Sequence, residues 1–164
     1  MTTTEELNQS VIRRLFHELV NAGDFTVVDD IYRPDVVDHQ PLPGAPAGRE
    51  GVRYTIAVLR DSFPDLHVTI DESHAYADRV VIRYTWRGTH TRELLGIAPT
   101  GRSIEYQGVA EWRLIDGRIA DRWDLGIGSG ILPALGLGWL ARGRLRAGKF
   151  RSARARRRAE GTQR

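Results

Sequence analysis

The 164-residue chain contains no cysteine. That absence excludes disulfide staples, thiolate nucleophiles, zinc ribbons and iron–sulfur clusters, and confines any chemistry to oxygen and nitrogen groups. Lysine is nearly absent as well: Lys149 is the sole one, and every other basic residue is arginine. No stretch reaches the roughly 18 consecutive apolar residues of a membrane span, and the opening MTTTEELNQS carries acids where a secretory signal carries bases. A cytoplasmic protein is expected. There is no GxxxxGK[S/T] phosphate loop, and the Gly-rich stretch 126–138 is not framed as strand–Gly–helix, so no dinucleotide fingerprint is read. His17, His67 and His74 lack the i, i+4 spacing of a helical zinc site, and neither metal nor cofactor is expected.

Apolar residues make up 41% and charged residues 27% of the chain, an ordinary globular balance, and the length suits one domain with an extension. The charge is uneven. Residues 141–164 hold ten of the 24 basic residues and one of the 21 acids, a net +9 that leaves the rest of the chain at −6. The sequence therefore divides into a domain over 1–140 and an Arg-rich tail over 141–164. An acidic body does not attract nucleic acid. The tail has few apolar residues beyond Leu145 and Phe150, and is expected to be solvated and disordered rather than to hold nucleic acid or an anionic surface.

Thr3 and Glu6 have capping-box spacing, and Leu7, Val11, Ile12, Leu15, Phe16, Leu19 and Val20 repeat on one helical face up to Asn21-Ala22-Gly23. Val27, Val28, Ile31 and Tyr32 suggest a short second helix stopped by Pro34, and Val36–His39 a short edge strand. PLPGAPAG, 41–48, must be a loop. Val52, Ile56 and Leu59 give a third helix over Arg49–Ser62, closed by Phe63-Pro64-Asp65.

Thereafter the period becomes two. Leu66, Val68 and Ile70 alternate with polar residues; beyond a turn at Ala77-Asp78, so do Val80, Ile82, Tyr84 and Trp86. A loop over 91–101, a strand over Ser103–Ile115, a turn at Asp116-Gly117 and a strand from Arg118 to about Leu125 complete the pattern. Helices followed by antiparallel strands indicate an α+β layout, with helices on one face of a curved sheet. Glu105, Gln107, Glu111, Arg122 and Asp124 put polar groups at strand centres, where they either face solvent or line a pocket beneath the helices.

The ordered motifs Asp38-His39-Gln40-Pro41-Leu42-Pro43-Gly44, Gly48-Arg49-Glu50-Gly51, Phe63-Pro64-Asp65, Gly88-Thr89-His90, Gly96-Ile97-Ala98-Pro99-Thr100-Gly101-Arg102 and Asp116-Gly117-Arg118-Ile119 with Trp123 resemble the SnoaL-like polyketide (ester) cyclase family from about residue 5 to Gly136. The resemblance implies a fold similar to nuclear transport factor 2: a cone of curved antiparallel sheet whose mouth is closed by N-terminal helices, usually in a homo-oligomer. It also implies a polyketide-like substrate closed by an intramolecular aldol reaction without metal or cofactor. Hydroxylation, isomerisation or binding without turnover remain open alternatives, since a fold does not fix a function.

An aldol closure needs a base, a way to hold the enolate and a donor for the accepting carbonyl. The resemblance assigns the acid/base role to Asp124, one residue past Trp123; His39 of the Asp-His motif, near the pocket mouth, is a second catalytic candidate that could polarise a carbonyl or relay a proton, or else fixes the Pro-rich loop by hydrogen bonds. His90 could bind substrate or fix its loop; Arg83 could hold a substrate carboxylate or form a structural ion pair. Tyr54, Tyr84, Trp86, Tyr106, Trp112 and Trp123 are candidates for stacking a planar ligand, or plain core. Two family positions depart from the pattern: Ala110 stands where the cyclases carry a histidine facing the aspartate, and Ile127 where they carry a second aspartate. Gly108 and Ala110 could make space for a flat ligand.

Turn register decides whether Asp124 faces inward. A two-residue turn at Asp116-Gly117 continued without interruption pairs 110 with 123; a bulge at Gly117 pairs 108 with 124 and 110 with 122 and turns Asp124 toward Gly108 and Ala110. The bulged register is expected.

Overall fold

The computed structural model describes residues 3–124 and 127–138. The tail 141–164 and the boundary placed at 140 lie outside the described residues.

Helix α1 (Thr4–Arg14) starts on the expected capping box: Thr3 Oγ1 accepts from the Glu6 N–H at 3.2 Å and the Thr3 N–H donates to Glu6 Oε2 at 2.7 Å. It continues as a π-helical segment, Leu15–Asn21. Ile12, Leu15, Phe16, Leu19 and Val20 are buried as the periodicity required, whereas Leu7 is exposed. Asn21 then clasps the edge of the sheet, its Nδ2 donating to the Val68 carbonyl at 2.9 Å and its Oδ1 accepting the Val68 N–H at 2.8 Å. Gln9 donates to the Ser73 carbonyl of the same strand.

A 3₁₀ turn (Phe25–Val27) leads into the short α2 (Val28–Ile31) and strand β1 (Tyr32–Asp38). Pro34 does not stop the chain there; it sits inside β1, which tolerates a missing N–H because it is an edge strand. Helix α3 (Arg49–Ser62) follows the Pro-rich loop, and Arg49 ties it back by donating to the Tyr32 and Asp29 carbonyls.

Strands β2 (His67–Tyr76), β3 (Arg79–Thr89), β4 (Ser103–Ile115) and β5 (Arg118–Asp124) form an antiparallel meander, with β1 added in parallel beside β5, in the order β1-β5-β4-β3-β2. The α+β expectation holds, with this one parallel pair in place of a wholly antiparallel sheet. A π-helical turn (Ile127–Ile131) and a single turn α4 (Leu132–Ala134) end the described chain. The core lies between the helices and one sheet face: Val68, Val80, Ile82, Tyr84, Trp86, Trp112 and Leu114 meet Ile12, Phe16, Leu19 and Val28.

The hairpin register differs from both alternatives. Asp116 (φ 50°) and Gly117 (φ 71°) form a tight two-residue turn pairing Ile115 with Arg118, and the bulge falls inside β5 at Ala120. Beyond it Arg113 pairs with Asp121 and Ala110 with Asp124. The bulge was misplaced by a few residues, yet it has the anticipated effect: Asp124 turns to the face of Gly108 and Ala110.

The motifs Phe63-Pro64-Asp65 and Gly88-Thr89-His90 lock together. Asp65 accepts from the Thr89 N–H and hydroxyl, both at 2.7 Å, and Phe63 packs between Trp86 and His90. His90 is fully buried; its Nδ1 accepts the Thr100 N–H at 3.2 Å, and its Nε2 has no hydrogen-bond partner among the described residues. Burial lowers its pKa from the usual value, so the folded protein holds it neutral. The unfolded chain takes up this proton near pH 6.5 and the folded chain resists it, so stability is lost as pH falls below about 6.5. Thermal melts from pH 8 to pH 5 are expected to show a steeper fall for the parent than for His90→Gln. Parallel curves would show that His90 does not titrate this way.

Candidate active site

Between the sheet and the helices lies a cavity of about 730 Å³, within the range of small-molecule pockets. Its walls are apolar: Phe16 and Val20 from the π-helical segment that continues α1, Val52, Ile56 and Leu59 from α3, and Tyr84, Trp86, Tyr106 and Trp112 from the sheet. The aromatic floor is layered, with Trp86 stacked on Tyr106 at 5.6 Å and Tyr84 edge-on to Tyr106 at 6.2 Å. The exposed Pro41, Pro43, Gly96 and Ser129 mark its opening.

The charged groups of this wall are Asp38, Arg122 and Asp124. Arg122 and Asp124 stand two apart on β5, hence on one face. Arg122 Nη1 donates to both Asp38 oxygens, at 3.1 and 2.9 Å, and its Nη2 donates to Asp124 Oδ2 at 2.6 Å. Burial works against the guanidinium charge, but Asp124 and Asp38 hold its pKa above the usual value. The second Asp124 oxygen, Oδ1, accepts from the Tyr84 hydroxyl at 3.0 Å, and the Asp124 N–H donates to Gln40 Oε1 at 2.7 Å.

Tyr84 reaches Asp124 across Gly108, its partner on β4. A Cβ at position 108 would stand 2.4 Å from the Tyr84 hydroxyl, so this glycine makes room for a protein ring rather than for a ligand. Burial, then Tyr106 and Asp124, push the Tyr84 pKa well above that of an ordinary phenol, and burial does the same to Tyr106. Both remain protonated donors. Ala110 lies directly opposite Asp124 on β4.

Of the residues singled out in the sequence, Asp124, Tyr106, Trp86 and Trp112 line the cavity. His39, Trp123, Arg83 and His90 do not. His39 and Trp123 meet on the opposite sheet face, their rings stacked at 4.4 Å, with His39 Nε2 3.0 Å from Asp121 Oδ1. Burial alone would raise the Asp121 pKa, but hydrogen bonds from His39 and Arg113 hold it below the usual carboxylate value. Arg83 pairs with Glu72 at 2.7 Å on that outer face, and His90 plugs the base of its loop. Glu105 and Glu111 likewise face outward, paired with Arg87 and Arg79. Sequence reasoning left Arg122 open between solvent and a pocket lining and gave Asp38 no role beyond its motif; the Arg-x-Asp spacing of 122 and 124 within a strand was the available signal for the ion network. The Ile127 side chain lies outside the described residues.

A family model, that of SnoaL-like polyketide cyclases, matches residues 10–135, a span that includes the curved sheet and most of its helical cover. The chain belongs to the SnoaL-like polyketide cyclase family. Among solved structures, this SnoaL-like protein is similar to IdmH from Streptomyces antibioticus, described as a candidate polyketide cyclase, at 32% identity and TM-score 0.66 over 79% of this chain and 98% of IdmH. TsrD from Streptomyces laurentii gives 25% identity and TM-score 0.73 over 82% and 98% of the two chains. AclR from Streptomyces galilaeus, described as a candidate hydroxylase, shares the fold at 24% identity and TM-score 0.66 over 81% and 98%. No curated protein matches the chain. Among the described residues of this SnoaL-like protein, no helix is long and apolar enough to cross a membrane.

Proposed function

We propose that the protein is a cofactor-independent cyclase that closes a ring in a polyketide-like, carbonyl-rich small molecule by an intramolecular aldol reaction. The observation that carries this reading is a carboxylate, Asp124, set in an apolar cavity of about 730 Å³ with the Tyr84 hydroxyl and Arg122 Nη2 donating to it. Asp124 removes a proton from the carbon alpha to one carbonyl. The enolate carbon attacks a second carbonyl carbon of the same molecule, a carbon–carbon bond forms, and the alkoxide takes the proton back from Asp124. Tyr84 and Arg122 hold their protons through the cycle: both donate to the Asp124 carboxylate while it is charged, and once Asp124 has taken the substrate proton the Tyr84 hydroxyl turns to donate to the oxygen on which charge develops. They supply the donor that the family's histidine would give at position 110. The stacked Trp86 and Tyr106 suit a flat, partly aromatic substrate.

Incubation with a panel of aromatic polyketide carbonyl esters, with and without oxygen, followed by mass spectrometry, tests the reading. A product isomeric with its substrate, or lighter by one water, is expected without oxygen. A product heavier by one oxygen and formed only in air would favour hydroxylation instead, a second reading suggested by the absence of a histidine opposite Asp124. Binding of panel members with no product would leave a binding protein.

A further inference from the structure

The loop over 91–101 contains a second tight turn, and this one faces the cavity. Leu94 and Ile97 exchange both backbone hydrogen bonds, at 3.0 and 2.9 Å, around Leu95 and Gly96. Both central residues have positive φ, 50° for Leu95 and 83° for Gly96. Such a turn favours Asn or Asp with Gly at its centre, and a branched apolar side chain at its first central position is strained. Among the described residues, Ala77 and Asp116 share this non-glycine conformation; both stand in exposed hairpin turns and neither lines the cavity. Leu95 does line it.

The strain is held in place from several sides. The Ser62 hydroxyl donates to the Glu93 carbonyl at 2.7 Å, the Thr91 N–H donates to the Ser62 carbonyl, and Glu93 Oε1 accepts the Gly96 N–H. Leu94 is buried and pins the turn to the core, which leaves Leu95 half-buried beside the exposed Gly96 at the opening. The exposed Pro41 and Pro43 line the same cavity. A position whose backbone asks for Asn or Gly instead presents an isobutyl group to the cavity. Strain that surrounding contacts maintain at a cavity mouth marks a functional position.

We propose that Leu95 determines ligand specificity, its strained turn holding an apolar side chain against the part of the ligand that reaches the mouth. Ligands of several fused rings extend to Leu95, and ligands of one ring, seated on the Trp86–Tyr106 floor, do not. The inference rests on the reading of the cavity as a small-molecule site.

The test is the dissociation constant of 1,8-dihydroxyanthraquinone, a three-ring probe, and of methyl salicylate, a one-ring probe, measured on the full chain of the parent, Leu95→Asn and Leu95→Gly, alongside thermal melts. Asn and Gly accept positive φ, so both variants are expected to melt at or near the parent temperature. The three-ring probe is expected to bind about tenfold more weakly to each, the order of effect of losing one well-packed apolar group, and the one-ring probe within about twofold of the parent. Three-ring affinity unchanged in both variants, or equal losses for both probes, would overturn the role of Leu95. Failure of the parent to bind either probe would overturn the cavity reading and this inference with it. The expected binding pattern together with no product from any member of the polyketide ester panel would overturn the cyclase reading alone and leave the role of Leu95 standing.

Discussion

Asp124→Asn is expected to lower kcat by about 10²- to 10⁴-fold, the range associated with loss of a positioned general base. The substitution keeps the side-chain shape but turns an acceptor into an amide donor. The Tyr84 hydroxyl or Arg122 Nη2, each now donating to the carboxylate, would then face an N–H. KM should change little, because the aromatic floor and the apolar helices supply most of the contact area and are untouched. Tyr84→Phe keeps the base and removes one donor, so its loss in kcat should be smaller. Steady-state kinetics on the substrate that the mass-spectrometric panel reveals separates these outcomes. An Asp124→Asn enzyme turning over at a rate comparable to the parent's would remove Asp124 from the chemistry.

The second large effect concerns stability. Arg122→Met leaves Asp38 and Asp124 facing each other without the cation that now holds three of their oxygen contacts. Breaking a buried pair by removing one partner costs about 3 to 5 kcal/mol. Because the Arg122 side chain is 23% exposed, the lower end applies, about 3 kcal/mol. For a chain of this size that is a fall in Tm of roughly 6 to 12 °C. Adding Asp38→Leu to Arg122→Met removes one of the orphaned charges and is expected to recover part of the loss. Calorimetry of the single and double variants gives the answer: a single variant as stable as the parent would mean that the network contributes nothing to the fold.

The boundaries of α3 and β4, and the presence of β2 and β3 on either side of the Ala77-Asp78 turn, were legible because period, capping and turn residues agree along those stretches. Glu6 three residues after Thr3 does announce a capping box, and Asp116-Gly117 does form a tight turn. What the residues could not disclose was parity. Adjacent residues of a strand face opposite ways, so a shift of one position moves a side chain through the sheet. His39 lies between Asp38 and Gln40, which line the cavity; Trp123 lies between Arg122 and Asp124; Arg83 precedes Tyr84. Each of these three is the immediate neighbour of one that belongs, whereas His90 is set apart by its loop and not by parity. The bulge at Ala120 sets this parity for β5, and alanine there carries no local signal of a bulge. The family-like motifs, too, mark architecture as much as chemistry: Asp65 with Thr89, Arg49 with Tyr32 and His90 with Thr100 are fastenings of the fold, some distance in sequence from the ion network they help to frame.

The grip of Asn21 on Val68 bears on how the protein keeps to itself. An outermost strand with unpaired N–H and C=O groups is a template on which another chain can add a strand, the first step toward aggregation. The carboxamide of Asn21 offers β2 the same donor and acceptor that a neighbouring strand would, and Gln9 covers a further carbonyl along it. The first helix therefore guards the sheet against runaway extension as well as roofing the cavity. Until it docks, a newly synthesised chain carries an open edge.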